Sequence, residues 1–353
     1  MRLLKATSIF ALLLALLIPS SLRAGEAEDA LMKGFKLHNA GKVKDAIPFY
    51  DKAIQANPKL AEAYFNRGNA YYDLGQNQRA VADYSRVLRL NPKDAEAYYN
   101  RGNAYRRLKK DALALKDYSA AIKLKSQDPR NYINRGSLYF DAKRYESAAQ
   151  DFSTAIQLNP KDPDGYYDRG NSYLALDKKA EAIEDYTQAL RLDNKLVVAH
   201  YNRGIAYAAS EDTEKAIEDF SEVLKLDPKF TEAYFNRGLA RAKLGRHETA
   251  IQDFSEAIRL APKDPELIFS RGVAYLHVAK YDYAARDFTA VILSQPRNAQ
   301  AYVYRGIART FQNRNNDADV DFHKAFQLDP SLTSKVQPLI NEIKEQVDVK
   351  KDK

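Results

Sequence analysis

Small, apolar and aromatic residues recur along this chain at the spacing of helix faces, and the whole pattern repeats every 34 residues. An Arg-Gly pair marks the register at Arg67-Gly68, Arg101-Gly102, Arg135-Gly136, Arg169-Gly170, Arg203-Gly204, Arg237-Gly238, Arg271-Gly272 and Arg305-Gly306. Lys33-Gly34 lies one period earlier, which makes nine units without an insertion. With the glycine counted as repeat position 8, positions 4, 8 and 11 share one helix face, and positions 20, 24, 27 and 28 share the face of a second helix. Position 20 is alanine throughout, from Ala46 to Ala318, and position 24 is always Tyr or Phe, from Tyr50 to Phe322. Small residues at positions 8 and 20 let two helices approach closely, and the ring at position 24 fills the space beside them. A helical glycine costs about 1 kcal/mol relative to alanine. Its recurrence therefore predicts that a Cβ at position 8 would collide with the neighbouring helix.

Proline at position 32 (Pro58, Pro92, Pro160, Pro228, Pro262, Pro296 and Pro330) ends the second helix and opens the next unit. A fixed period of this length means one supersecondary unit stacked on copies of itself. The span 27–330 thus reads as one array of helix pairs. After Pro330, Val336, Ile340, Ile343 and Val347 keep helical spacing and predict a capping helix over 331–348. Residues 349–353 are expected to form a disordered tail.

The stretch Ala61-Glu62-Ala63-Tyr64-Phe65-Asn66-Arg67-Gly68-Asn69-Ala70-Tyr71, followed by Ala80, Tyr84 and Pro92, resembles the tetratricopeptide repeat, and the likeness runs from Ala27 to Pro330. The resemblance implies an all-α, right-handed superhelical solenoid of antiparallel helix pairs, with first helices lining an inner groove where ligands sit. It implies binding of a protein or peptide partner rather than catalysis. The basic clamp with which some members hold a C-terminal carboxylate is missing. Position 5 carries no Lys or Arg, and position 2 is acidic at Glu62, Glu96, Asp164, Glu232 and Glu266, with Arg130 departing.

Position 7 is arginine in eight units, on the packed side of the first helix, where an unpaired charge is costly. Position 23 is aspartate in the same eight units, and the first unit has Lys33 and Phe49 instead. The two residues come and go together, which predicts interhelical ion pairs within each unit; a row of anion sites is the alternative.

Positions 2, 5, 6, 9 and 13 fall on the opposite face. Position 6 gives Asn66, Asn100, Asn134, Asn202 and Asn236, with Asp168 inside the run, and position 9 adds Asn69, Asn103 and Asn171. An asparagine amide both donates and accepts, so this column is expected to hold an extended chain by its peptide groups. Phe65, Tyr99, Tyr167 and Tyr201 at position 5 are expected to stack on ligand side chains or, in the alternative reading, on sugar rings. Position 9 turns apolar at Ile205, Leu239, Val273 and Ile307, so a ligand with a polar segment and an apolar anchor is expected.

Composition narrows the setting. The first 24 residues have a basic head (Arg2, Lys5), an apolar run and Ala24 as a small residue for cleavage, the pattern of a secretory signal peptide; an uncleaved membrane anchor is the alternative. A periplasmic or secreted location is expected. The formal charge of +8 is spread by the repeat, which argues against nucleic acid. The absence of cysteine removes disulfides, thiolate metal sites, a cysteine nucleophile and a lipidated N-terminal cysteine. The five histidines are scattered, and no nucleophile, metal cluster or phosphate loop is evident, so no cofactor is expected. The reading is an exported, non-catalytic scaffold that aids assembly of an envelope complex; a glycan-handling scaffold in polysaccharide export is the alternative.

Overall fold

The computed structural model describes residues 20–351, with side chains from Ala24 to Gln346. The expected signal segment, 1–24, lies outside the described residues except for Ser20–Ala24, which open the first helix. Among the described residues every regular element is α-helical: α1 (Ser20–Asn39), α2 (Val43–Ala56), α3 (Ala61–Asp73), α4 (Asn77–Leu90), α5 (Ala95–Arg107), α6 (Asp111–Leu124), α7 (Pro129–Asp141), α8 (Tyr145–Leu158), α9 (Pro163–Ala175), α10 (Lys179–Leu192), α11 (Val197–Ala209), α12 (Thr213–Leu226), α13 (Thr231–Lys243), α14 (His247–Leu260), α15 (Pro265–His277), α16 (Tyr281–Ser294), α17 (Ala299–Phe311), α18 (Asn315–Leu328) and α19 (Leu332–Lys351). None of them is long and apolar enough to cross a membrane.

The chain forms two compact units, Met1–Ser172 and Tyr173–Lys353. In the first, α1 packs on α2, α3 on α4, α5 on α6 and α7 on α8, and each second helix packs on the first helix of the next pair. The second unit stacks α11–α12, α13–α14, α15–α16 and α17–α18 in the same way. Contacts also join α3 to α5 and α15 to α17, so consecutive first helices lie side by side within each unit.

The seam of each pair is built as the spacing requires. Ala46, Ala80, Ala114, Ala250 and Ala284 are fully buried, as are the rings of Tyr50, Tyr118 and Phe288. A Cβ on Gly34, Gly102 or Gly238 would lie 2.7 Å from the ring at position 24 of its own pair, closer than real contacts allow. The collision partner is thus this ring, not backbone.

Each helix pair turns through a residue in the left-handed region at position 15. Only three of the nine are glycine (Gly41, Gly75, Gly245); the others are Lys109, Lys143, Asp177, Glu211, Ala279 and Asn313, with φ between 56° and 64°. In that conformation Lys109 N–H donates to Arg106 O and Lys110 N–H to Tyr105 O, which satisfies carbonyls at the helix end.

At the C-terminus α19 lays Ile340 and Ile343 on Val303, Ile307, Phe322 and Ala325. Lys344 adds an ion pair to Asp319 at 2.6 Å. Helix α19 continues to Lys351, past the boundary at 348 expected from the sequence. Amphipathic spacing ends near Val347, but nothing there breaks a helix.

Candidate partner-binding face

The arginines of position 7 are structural. Arg67, Arg101, Arg135, Arg203, Arg271 and Arg305 each make a bidentate pair with the aspartate sixteen residues on, at 2.7–3.0 Å. Asp83, Asp117, Asp151, Asp219, Asp287 and Asp321 are all buried. The third nitrogen reaches back to a hydroxyl of the preceding repeat: Arg101 to Ser85, Arg135 to Ser119, Arg203 to Thr187 and Arg305 to Thr289. Position 25 is Ser or Thr in seven units, a signal the sequence offers once the guanidinium is asked where its remaining N–H groups go. In the first unit Lys33 instead places its ammonium 4.7 Å from the Phe49 ring.

Local charge decides how each carboxylate responds. Burial pushes Asp83 upward in pKa despite Arg67, with Asp51 adding repulsion. Burial pushes Asp219 upward as well, but hydrogen bonds from Arg203 and His200 outweigh it and hold Asp219 below the usual range.

The asparagine column is more engaged than its expected role requires. Asn69 accepts the buried Tyr84 hydroxyl at 2.8 Å and an amide N–H of Asn100 at 3.3 Å. Asn103 likewise accepts from Tyr118 at 2.7 Å and from Asn134 at 3.1 Å. The repeats explain why. Wherever position 24 is Phe, position 9 is Ser137, Ile205, Leu239, Val273 or Ile307; Asn69, Asn103 and Asn171 stand opposite Tyr84, Tyr118 and Tyr186. A buried tyrosine hydroxyl needs a partner; position 9 supplies it for Tyr84 and Tyr118, and His38 does so for Tyr50, whose position 9 is Phe35. This within-chain covariation was legible in the sequence. Asn66 is buried and donates to Glu62 O of its own helix. Asn134 and Asn236 also donate to Tyr99 and Tyr201. Asn171 and Asn202 are half-buried.

The rings of position 5 are packed rather than presented. Phe65 lies against Tyr84 with centroids 5.9 Å apart, and Tyr99 against Tyr118 at 6.1 Å. Tyr201 contacts Phe220 at 5.9 Å and Phe230 at 4.8 Å. Tyr167 is half-buried. Phe311 stacks on Tyr281 at 4.7 Å. Phe65, Tyr99 and Tyr201 face the position-24 rings, because a first helix at close approach has no other place for a large side chain on that flank.

What the first helices do present is pockets at equivalent places in the repeat. Each lies between positions 9, 12 and 13 of one unit and position 6 of the next, above the position-24 ring. One, of about 370 Å³, is lined by His38, Asn69, Tyr72, Asp73, Asn100 and Asn103. A second, of about 230 Å³, is lined by Arg106, Ser137, Phe140, Asp141, Asp168 and Asn171. In the other unit a pocket of about 220 Å³ is lined by Ile205, Ala208, Phe220, Asn236, Leu239 and Lys243. The lining is rich in amides in the first of these and apolar in the third. Asn100 and Asn134 each keep a carbonyl oxygen without a partner among the described residues, and Asn100 one N–H as well.

Two histidines of consecutive repeats, His247 and His277, stack with centroids 4.3 Å apart. Parallel rings cannot aim at one ion, and among the described residues no group of three ligating side chains forms.

A family profile described as "TPR repeat" matches residues 36–75, 68–109, 136–177 and 170–211, and two described as "Tetratricopeptide repeat" match 201–265 and 95–128. The chain belongs to the tetratricopeptide repeat family. Among solved structures, this tetratricopeptide protein is similar to the C-terminal part of a TPR repeat-containing protein from Cytophaga hutchinsonii, at 17% identity and a TM-score of 0.60, over 68% of this chain and 98% of that one. It is similar to PilF of Pseudomonas aeruginosa at 21% identity and a TM-score of 0.50, over 59% and 94% of the two chains. YrrB, described as a TPR protein with an unusual peptide-binding site, is 23% identical over 56% of this chain and 97% of its own, with a TM-score of 0.48. Among curated proteins no relative matches the sequence.

Proposed function

We propose that this protein is an exported, non-catalytic scaffold whose first helices hold an extended segment of a protein partner, as part of assembling a complex in the cell envelope. The observation that carries the binding reading is the recurrence of the pockets at one place in the repeat, with the carbonyl and one N–H of Asn100 left over in one of them. An extended chain places side chains at regular intervals and exposes peptide groups between them, which suits pockets that alternate with amides. The gradient from polar pockets to one lined by Ile205, Ala208 and Leu239 favours a partner segment with an apolar anchor. Export rests on the basic, apolar and small-residue order of the first 24 residues. The glycan alternative has less support, because Tyr99 and Tyr201 are engaged by neighbouring rings and amides.

A photo-crosslinking amino acid placed at Tyr72 or Leu239, on the pocket face, is expected to capture a protein partner in intact cells. The same group at Lys116 or Gln150, on exposed second-helix positions, is expected to capture far less. Capture from the second helices alone would overturn the assignment of the face. N-terminal sequencing of the exported protein is expected to begin near Gly25, and a retained leader in the membrane fraction would favour the anchor instead.

A further inference from the structure

The junction of the fourth and fifth repeats departs from its neighbours in three residues at one level. At the two preceding junctions position 6 supplies an amide donor (Asn100, Asn134), position 9 of the unit before supplies its acceptor (Asn69, Asn103), and position 5 carries Phe65 or the tyrosine hydroxyl of Tyr99. Here position 6 is Asp168, which donates nothing when ionised, and position 9 is Ser137, whose hydroxyl is spent on Ile133 O at 2.8 Å. Position 5 is the aliphatic Ile133. At this junction lies a cavity of about 230 Å³ walled by Arg106, Ser137, Phe140, Asp141, Asp168 and Asn171. That is below the range of about 300–1,000 Å³ for drug-sized ligands and is the scale of one side chain.

The charges at this cavity select what it takes. The Asp168 carboxylate is largely buried, and no donor among the described residues hydrogen-bonds to it. Burial, with Asp164 and Asp162 nearby, raises its pKa to about 6, and Arg106 offsets this only in part. The Arg106 guanidinium lies 3.8 Å from Asp141, a more exposed carboxylate on the cavity rim. An anionic ligand is repelled, and an apolar one leaves the carboxylate without a partner. A cation with N–H donors supplies both missing elements.

We propose that this cavity receives one organic cation, the ammonium or guanidinium of a Lys or Arg side chain in the partner segment, held by the Asp168 carboxylate. The assignment rests on the reading that an extended chain lies across the first helices. It makes the fourth-to-fifth junction the charge-specific position in a face otherwise built for peptide groups and apolar anchors.

Two measurements on the full chain separate the cavity from the groove. In the first, N-acetyl-lysine methylamide is titrated at neutral pH while the side-chain carboxyl carbon of Asp168 is followed by NMR, with the norleucine analogue as a neutral control. The lysine probe is expected to shift the midpoint of Asp168 to lower pH by about one unit at tenfold its dissociation constant, and the norleucine probe to leave it in place. Equal response to both, or to neither, overturns the cation site. In the second, an oriented library of extended peptides is selected on the parent and on Asp168→Asn. The parent is expected to enrich Lys or Arg at one position, and Asp168→Asn to lose that preference at least tenfold while still retaining peptides. Retention of peptides with no basic position overturns the cation site and leaves the groove standing. A positive first measurement with no peptide retained overturns the groove and, with it, the side-chain source of the cation. So does a free amine that binds as tightly as the best peptide.

Discussion

Two buried polar arrangements differ in what their loss should do. Arg135 is bonded to Asp151 and Ser119, and Asp151 is almost fully inside. Removing the guanidinium strands a buried carboxylate, so Arg135→Ala is expected to cost about 2–4 kcal/mol, whereas Arg135→Leu with Asp151→Leu should lie near the parent. Thermal melts at neutral pH compare them. The hydroxyl of Tyr84 and the amide of Asn69 form a second such pair. Asn69→Val alone should cost about 1–2 kcal/mol, and adding Tyr84→Phe should recover most of it, since Phe with an aliphatic partner is what Phe288 and Val273 already use. Asp168 runs the other way. Its pKa is raised to about 6, so it binds a proton more tightly folded than unfolded. Its contribution is therefore intact below the unfolded pKa and is lost as pH rises through about 6. Asp168→Asn should raise stability by about 1–2 kcal/mol at pH 8 and change little at pH 4, as denaturant titrations at the two pH values will show.

Between the helices, the turn at position 15 is the strained element. Six of nine turns place a residue with a Cβ in the left-handed region. That conformation costs about 1–2 kcal/mol for an L residue, less the extra backbone entropy that glycine loses on folding. Ala279 is exposed and has φ 56°, so Ala279→Gly should stabilise by about 0.5–1 kcal/mol, readable as a raised melting temperature. A fall would mean that the turn tolerates alanine through contacts not evident at this site.

At the scale of the molecule, a stacked array has open apolar ends, and α19 closes the last one. Ile340 and Ile343 are 2% and 8% exposed against α17 and α18. Ending the chain at Pro330 uncovers Val303, Ile307 and Phe322 and forfeits about 4 kcal/mol of apolar burial. Hydrogen exchange should then lose protection in α17 and α18 first and leave α3–α6 unchanged, because repeats couple through their neighbours. Uniform loss along the chain would point to a single cooperative block instead.

The period, the two helices of each unit, the buried rings and the ion pairs were legible in the sequence because each is a local or single-period relation repeated eight or nine times. Gly102 and Tyr118 needed only helix geometry to be matched, and Arg135 and Asp151 only their joint presence and joint absence. What Asn69 and Tyr99 do was decided by tertiary structure. Both lie on the face that helical spacing leaves outside the seam, yet the second helix of the same pair reaches it, and the next pair adds Asn100 and Asn134. There a buried tyrosine hydroxyl claims the Asn69 carbonyl, and the Tyr118 ring claims Tyr99. Which polar atoms remain for a partner, and where Asp168 is left without a donor, depend on contacts between successive repeats. A helical wheel drawn for one helix does not contain them.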